Sequence, residues 1–277
     1  MQGLGNDFIL IDCIRQKEVV SIFQPGKLSE GLCHRRFGIG ADQLLLLYPS
    51  DTADFKMRIF NADGNEVEMC GNGVRCLAKY IWDKGLSNKI ILAIETLAGI
   101  IYPERKGDMV RVDMGEPIFE PAKIPANLPS TGIEGKEAIV DSPLSIMGRE
   151  FNVTCVSMGN PHAVIFIDED ISSFPVHLYG PEIENHNAFP KRTNVEFINF
   201  KDMNNLNMRV WERGSGETMA CGTGASAAGV AAMLKQLTER RVFIHLLGGD
   251  LLIEWDKNNH VFMTGPAVEV FEGFVSV

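Results

Sequence analysis

Two cysteines of this 277-residue chain stand in the same short motif, Cys70-Gly71-Asn72-Gly73 and Cys221-Gly222-Thr223-Gly224. Each motif opens an apolar run suited to a helix. The first N–H groups of a helix have no partner inside it and carry partial positive charge. A thiol placed there is expected to be acidified, into a range of about 3.5–7.5. The glycines leave room for a carboxylate to reach those N–H groups directly. If two such loops face each other, a bound α-amino carboxylate holds its Cα–H between two sulfurs. One thiolate then takes the proton from one face and the opposing thiol returns a proton to the other. That is racemisation or epimerisation by two bases. For either cysteine alone, a small buried residue is the plainer reading; the matched pair is what points to chemistry.

The elements that position the cysteines read as a duplication. Residues 57–73 align without a gap on residues 208–224, matching Met57/Met208, Arg58/Arg209, Glu66/Glu217, Cys70/Cys221, Gly71/Gly222 and Gly73/Gly224. The register continues outward. Gln43 lies 27 residues before Cys70 and Asn194 lies 27 before Cys221. Asn6 and Asn160, each after a glycine, lie 64 and 61 before their cysteines, and Gly115 and Gly265 follow them by 45 and 44. Two similar domains with a cleft between them are expected. Strands are expected at 9–12, 43–48, 55–61, 90–96, 100–103 and 109–114, then at 151–157, 163–167, 195–200, 207–212, 241–245 and 251–255. Helices are expected at 73–84 and 224–235, the second Ala-rich, apolar all round and therefore central. The Gly-Ile-Glu-Gly-Lys stretch at 132–136 is the best candidate linker.

Composition narrows the function. Hydrophobic residues make up 45% and charged residues 22%, as in a globular protein. The net charge of −10 argues against nucleic acid or an anionic membrane as partner. No run approaches the roughly 18 apolar residues that span a bilayer, and the start lacks a signal-peptide pattern, so the cytoplasm is expected. The six cysteines, 13, 33, 70, 76, 155 and 221, are expected to be free thiols there. Their spacing suits no metal site.

The halves differ at a few polar positions. Asn61-Ala62 corresponds to Glu212-Arg213, and Asp7-Phe8 to Pro161-His162. Such residues would break the pseudo-symmetry and select a substrate. His162 also reads as a hydrogen-bonded core histidine, and Glu212-Arg213 as a surface ion pair; both readings stay open on the sequence.

Along essentially its whole length the chain resembles the diaminopimelate epimerase family. The resemblance rests on Gly3-Leu4-Gly5-Asn6-Asp7-Phe8, Gly38-Ile39-Gly40-Ala41-Asp42-Gln43, Phe60-Asn61-Ala62-Asp63-Gly64, Met69-Cys70-Gly71-Asn72-Gly73-Val74-Arg75-Cys76, Met158-Gly159-Asn160-Pro161-His162, Arg192-Thr193-Asn194, and Trp211-Glu212-Arg213-Gly214-Ser215-Gly216-Glu217-Thr218 leading into Ala220-Cys221-Gly222-Thr223-Gly224. It implies interconversion of LL- and meso-2,6-diaminopimelate on the route to lysine and peptidoglycan, with no cofactor and no metal. It implies Cys70 and Cys221 as the acid–base pair, tuned by His162 and Glu212. Gly71, Asn72, Gly222 and Thr223 would bind the reacting carboxylate. Asn6, Gln43, Asn61, Asn160, Asn194, Glu212 and Arg213 would complete substrate binding, much of it at the distal end. Family members usually carry a short strand ahead of the first motif, so the edge of the first sheet is expected to differ. Gln2 and Ser215 also depart from common family residues.

The expected fold is α/β (α+β), two pseudo-symmetric domains, each a curved, mainly antiparallel sheet around a central helix, with the active site in the interdomain cleft. Residues 1–117 with about 265–277 would carry Cys70, and 118–264 would carry Cys221. The resemblance adds a homodimer. A proline-type or broad-specificity racemase of the same fold remains as an alternative, though a small cyclic substrate has no distal zwitterion for Glu212-Arg213 to read. A thiol redox enzyme using the two cysteines is the alternative of another class, and a noncatalytic binding protein for the same amino acid is a third.

Overall fold

A computed structural model describes residues 1–16, 24–133, 135 and 137–275. The chain forms two compact units, Met1–Asp113 with Thr264–Val277, and Met114–Met263.

In the first unit the strands are β1 (Gln2–Gly3), β2 (Asn6–Asp12), β3 (Gln43–Tyr48), β4 (Phe55–Asn61), β5 (Glu66–Val67), β6 (Ile94–Thr96) and β7 (Gly99–Ile101). Their sheet order is β1-β2-β3-β4-β6-β7, with β5 beside β4. The β2/β3 and β4/β6 ladders are parallel. The others are antiparallel. Outside this sheet, at the end of an 11-stranded one, a hairpin joins β8 (Glu104–Lys106) to β9 (Met109–Asp113). Strand β3 is central because Leu44, Leu45, Leu46 and Leu47 are all fully buried, so both of its faces are covered. Helix α1 (Pro25–Leu32) packs on β3 and β4, and α2 (Gly71–Asp83) packs on β1, β2, β3, β4 and β9. Gln2 exchanges two backbone hydrogen bonds with Val268, at 2.8 and 2.9 Å. The short β1 thereby ties the first sheet's edge to the end of the chain.

The second unit repeats this pattern of strands and pairings. Its strands are β10 (Ser142–Ile146), β11 (Arg149–Ser157), β12 (Pro161–Ile167), β13 (Asn194–Asp202), β14 (Asn205–Glu212), β15 (Gly216–Thr218), β16 (Arg241–Leu246) and β17 (Gly249–Trp255). The β12/β13 and β14/β16 ladders are parallel, and β13/β14, β14/β15 and β16/β17 antiparallel, as in β2–β7. Register agrees to the residue: Gln43 faces Asn61 in β3/β4, and Val195 faces Trp211 in β13/β14, which sets Asn194 opposite Glu212. Helix α3 (Val176–Glu184) packs on β13, β14 and β15. The last strand, β18 (Val261–Pro266), begins in the second unit and ends in the first.

Helix α4 (Gly222–Leu234) shows why the sheet must curve. Its residues from Gly224 to Met233 are all buried, and it touches β11, β12, β13, β16 and β17. One helix meets five strands only if the sheet wraps around it. Small side chains allow the close approach: a Cβ at Gly229 would stand 2.8 Å from Ile253 Cγ2.

Some expectations shift. Both cysteine helices start two residues early, at Gly71 and Gly222, so each cysteine is the N-cap itself. The strand expected at 90–96 is confined to Ile94–Thr96, and Ile90 and Ile91 are exposed. The 132–136 stretch does not link the units. It lies inside the second, where Thr131 and Gly132 both donate to the Ala138 carbonyl; Glu134 and Lys136 lie outside the described residues.

Candidate active site

The first half-site is built around Cys70. Its backbone is extended, φ −140° and ψ 115°, and α2 begins at the next residue. Asn6, at the start of β2, places Oδ1 3.7 Å from the Cys70 sulfur, close enough to accept from the thiol. The same oxygen accepts from Asn72 Nδ2 at 3.3 Å. Asn6 Nδ2 donates to Asp42 at 2.9 Å, and Arg35 bonds both Asp42 and Asp7. The Asn6 amide is thus oriented by an acid that is itself clamped. Gln43 opens β3 and Asn61 closes β4; Gln43 Nε2 donates to Asn61 Oδ1 at 2.8 Å. Gln43 Oε1 and Asn72 Oδ1 are buried acceptors with no protein partner, and Gly71 N–H lies on the opening turn of α2.

The second half-site is built around Cys221, the N-cap of α4 with φ −121° and ψ 115°. Its sulfur accepts from Gly224 N–H at 3.4 Å and lies 3.4 Å from Thr223 Oγ1. Asn160 Nδ2 donates to Thr223 Oγ1 at 3.2 Å. His162 Nε2 is 2.9 Å from Asn160 Oδ1, and its Nδ1 is 2.7 Å from Glu196 Oε1. His162 and Glu196 are both 0% exposed. Asn194 Nδ2 donates to the Pro161 carbonyl, and its Oδ1 accepts from Arg213 N–H at 2.9 Å. Gly222 N–H lies on the opening turn of α4.

Glu212 and Arg213 do not pair with each other. Glu212 accepts from Thr218 Oγ1 at 2.5 Å, while Arg213 Nη1 donates to the Lys191 carbonyl at 3.3 Å. The surface-pair reading therefore fails. Their turn is held by Glu184 of α3, which accepts from Gly214 N–H at 2.9 Å and Trp211 Nε1 at 2.7 Å.

Matched ion pairs lead the chain into each cysteine. Arg58 grips Glu66 through Nε and Nη2, at 2.7 and 2.8 Å. Arg209 grips Glu217 through the same atoms, at 2.6 and 3.0 Å. Each fork pins a short strand, β5 or β15, to the strand before it. These are residues that the self-alignment matched.

The expected acidification is not what the Cys221 surroundings produce. Burial pushes this thiol well above its ordinary value, and the carboxylates of Glu212 and Glu196 push it further; the Thr223 and Gly224 hydrogen bonds act the other way but more weakly. A helix terminus lowers a thiol's pKa only while its sulfur is not stripped of water and faced by acids. Glu212 thus acts on Cys221 in the raising direction. Burial likewise pushes the Glu196 carboxyl up, against the pull of His162.

Glu196 is a fully buried acid beside His162 that motif reading did not single out. It sits inside a run otherwise read as an apolar strand. The signal was present, however: shifted by the 151 residues that relate the cysteines, Glu196 falls on Leu45. Among the described residues, no group of three His, Cys, Asp or Glu side chains stands where it could hold a metal.

The model of the family described as diaminopimelate epimerase matches residues 1–120 and 154–270. The chain belongs to the diaminopimelate epimerase family. A diaminopimelate epimerase of Acetivibrio thermocellus is 50% identical over 283 residues, covering 100% of this chain and 97% of the relative. One of Pelotomaculum thermopropionicum is 52% identical over 276 residues, covering 98% and 95%. Among solved structures, a phenazine biosynthesis protein of the PhzF family from Bacillus anthracis shares the fold, with a TM-score of 0.67 at 17% identity over 100% of this chain and 95% of that one.

Proposed function

We propose that this protein interconverts LL- and meso-2,6-diaminopimelate without a cofactor, with Cys70 and Cys221 as the thiolate and thiol of a two-base epimerisation. The observation that carries the reading is a pair of matched cysteine N-caps in a chain half-identical, end to end, to diaminopimelate epimerases. In this reading the reacting carboxylate is bound by the N–H groups of Gly71, Asn72, Gly222 and Thr223. The buried Gln43 Oε1 and Asn72 Oδ1 are open acceptors suited to an ammonium group. Asn61, Asn160, Asn194 and Glu212 line the two half-sites, and Arg213 supplies a guanidinium for the distal carboxylate. That distal zwitterion separates this reading from a proline-type racemase. None of the six cysteines is in a disulfide; a reducing cytoplasm is part of the proposal. No helix among the described residues is long and apolar enough to cross a membrane. We carry over the family's homodimer to this proposal as well; the exposed Val270, Phe271 and Phe274 are apolar side chains that a second copy would cover, and sedimentation equilibrium tests it.

The decisive experiment is incubation with LL-diaminopimelate in D₂O after dialysis against EDTA, with no cofactor added. Deuterium is expected at one Cα together with the meso product. Cys70→Ala and Cys221→Ala are each expected to abolish turnover while leaving the fold intact, read by circular dichroism. Unchanged turnover in either variant would end the two-base reading. A reductant-dependent reaction with no Cα exchange would favour the redox alternative.

A further inference from the structure

The duplication supplies an internal comparison for the second half-site. Leu45 faces Ile59 across β3/β4, and its counterpart Glu196 faces Val210 across β13/β14. Phe8 pairs with Gln43, and its counterpart His162 pairs with Asn194. A Cβ at Gly73 would stand 3.1 Å from Leu45 Cδ2, and one at Gly224 would stand 2.7 Å from Glu196 Oε1. Leu45 and Glu196 therefore lie beneath the first turns of the two cysteine helices. In one half this place is filled by Phe8 and Leu45, both buried. In the other it holds a fully buried ionisable pair. Burying such groups is costly and apolar residues pack as well or better. The first half folds around the apolar version, so the fold does not require the polar one.

The polar version has a direction. His162 Nδ1 and Glu196 Oε1 are 2.7 Å apart, and two bare acceptors would repel, so one proton lies between them. His162 Nε2 faces the Asn160 carbonyl oxygen at 2.9 Å and so carries a proton of its own. That bond turns the Asn160 amide so that its NH₂ donates to Thr223 Oγ1 at 3.2 Å. With one Thr223 lone pair taken by that donor, the hydroxyl hydrogen remains to point elsewhere, and the Cys221 sulfur lies 3.4 Å away, in a contact where either atom can donate.

We propose that Glu196 is a positioning residue for Cys221: paired with His162, it sets the direction of the hydrogen bonds through Asn160 and Thr223 so that the Thr223 hydroxyl donates to the sulfur. The inference rests on the reading of Cys221 as an acid–base thiol. An ionised Glu196 opposes the Cys221 thiolate. Burial raises the Glu196 carboxyl, and the proton it shares with His162 leaves the pair neutral overall and cancels most of that charge, so what removing the pair costs is the donor. The titratable groups that face Glu196 are His162, Glu212, Cys155 and Cys221.

The test uses the full chain with Glu196→Leu, Glu196→Gln, and the double variant His162→Phe with Glu196→Leu, which copies the first half. Each is made with and without Cys70→Ala. Two quantities are read: the pH dependence of Cys221 alkylation by iodoacetamide, mapped on the peptide in the Cys70→Ala background, and kcat and KM for diaminopimelate. Glu196→Leu and the double variant are expected to slow Cys221 alkylation at neutral pH by about tenfold, one unit of thiol pKa. A similar fall in kcat is expected, with KM changed by less than about twofold, since alignment and not binding is lost. Glu196→Gln can donate to Nδ1 and is expected to recover most of both losses. Unchanged alkylation and kcat in Glu196→Leu, with only the unfolding midpoint moved, would overturn the proposal. Should these variants fail to fold, the ¹⁵N spectrum of His162 in the wild type decides: a protonated Nε2 supports the proposal and a bare Nε2 overturns it. A wild type without epimerase activity would sink the functional reading and leave the alkylation result standing, so the two fail separately.

Discussion

Cys221 is pulled in two directions at once. Gly224 N–H and the Thr223 hydroxyl both face its sulfur, while burial first and the Glu212 carboxylate second oppose ionisation and prevail. Cys221 therefore resists ionisation, and Cys70, which is only half-buried, is the more accessible thiol. Iodoacetamide at neutral pH is expected to label Cys70 before Cys221; peptide mapping that finds the reverse order would contradict this account. Glu212→Gln removes a negative charge beside Cys221. It is expected to shift the alkylation midpoint of Cys221 downward, so that labelling at a given alkaline pH becomes faster. At this scale the candidate residues were legible in the sequence wherever the duplication doubled the signal. Cys70 and Cys221, Asn6 and Asn160, and Gln43 and Asn194 each stand out against their counterparts. Acidification of Cys221 was misjudged because spacing places a residue on a helix terminus without saying how much water reaches it. Glu196 escaped because one acid in an apolar strand looks like a solvent-facing position until its partner His162 is seen across the ladder.

Helices and strands hold the half-sites through packing that sequence patterns foreshadow unevenly. The long strands were legible from β-branched and apolar runs; β3 and β4 fall where expected. The two-residue strands β1 and β5 were not, since two residues carry no period. They exist because a hairpin or an arginine fork fixes them from outside. Those forks are not equal. Arg209 also donates to the carbonyls of Ile171 and Phe174 and is 14% exposed, against 33% for Arg58. Arg209→Met is expected to cost about 1–3 kcal/mol, because the Glu217 carboxylate and two carbonyls lose their donor, and Arg58→Met less than about 1 kcal/mol; urea unfolding of both variants measures the difference. Glycine in the helices offers a contrast of sign. Gly31, in α1, has nothing within 4 Å of an added Cβ. Gly31→Ala is expected to stabilise by about 0.5–1 kcal/mol. Gly229→Ala would drive a methyl into Ile253 and is expected to destabilise by about 1–3 kcal/mol, despite its better helix propensity. Equal thermal shifts for the two would contradict the close approach of α4 to its sheet.

On the scale of the whole molecule, the buried thiols set an alkaline limit. Burial pushes Cys13 up to about 11 and Cys76 up to about 12, and raises Cys33, Cys155 and Cys221 as well. A thiol raised on folding lends stability that is fully present below its unfolded pKa, near 8.5. That stability drains away as the pH climbs toward the folded value. Cys76 and Cys155 together are expected to remove about 3 kcal/mol per pH unit above about pH 9. Denaturant titrations across that range should show the loss, and Cys155→Ala should reduce the slope by about one proton. A flat profile would mean the thiols ionise without unfolding. The path of the chain has a consequence in time. Residues 264–277 complete the first unit, through the Gln2–Val268 bridge, the Arg75 bond to the Pro266 carbonyl and the Lys84 pairs with Glu269 and Glu272. The second unit is a single uninterrupted stretch. At about 5–20 residues per second, a ribosome takes roughly 8–30 s to pass from the end of the first segment to the strand that finishes it. During that interval the unit bearing Cys70 lacks its closing piece, while the unit bearing Cys221 is synthesised whole and can fold as it emerges. The half of the enzyme that is translated first is the half that matures last.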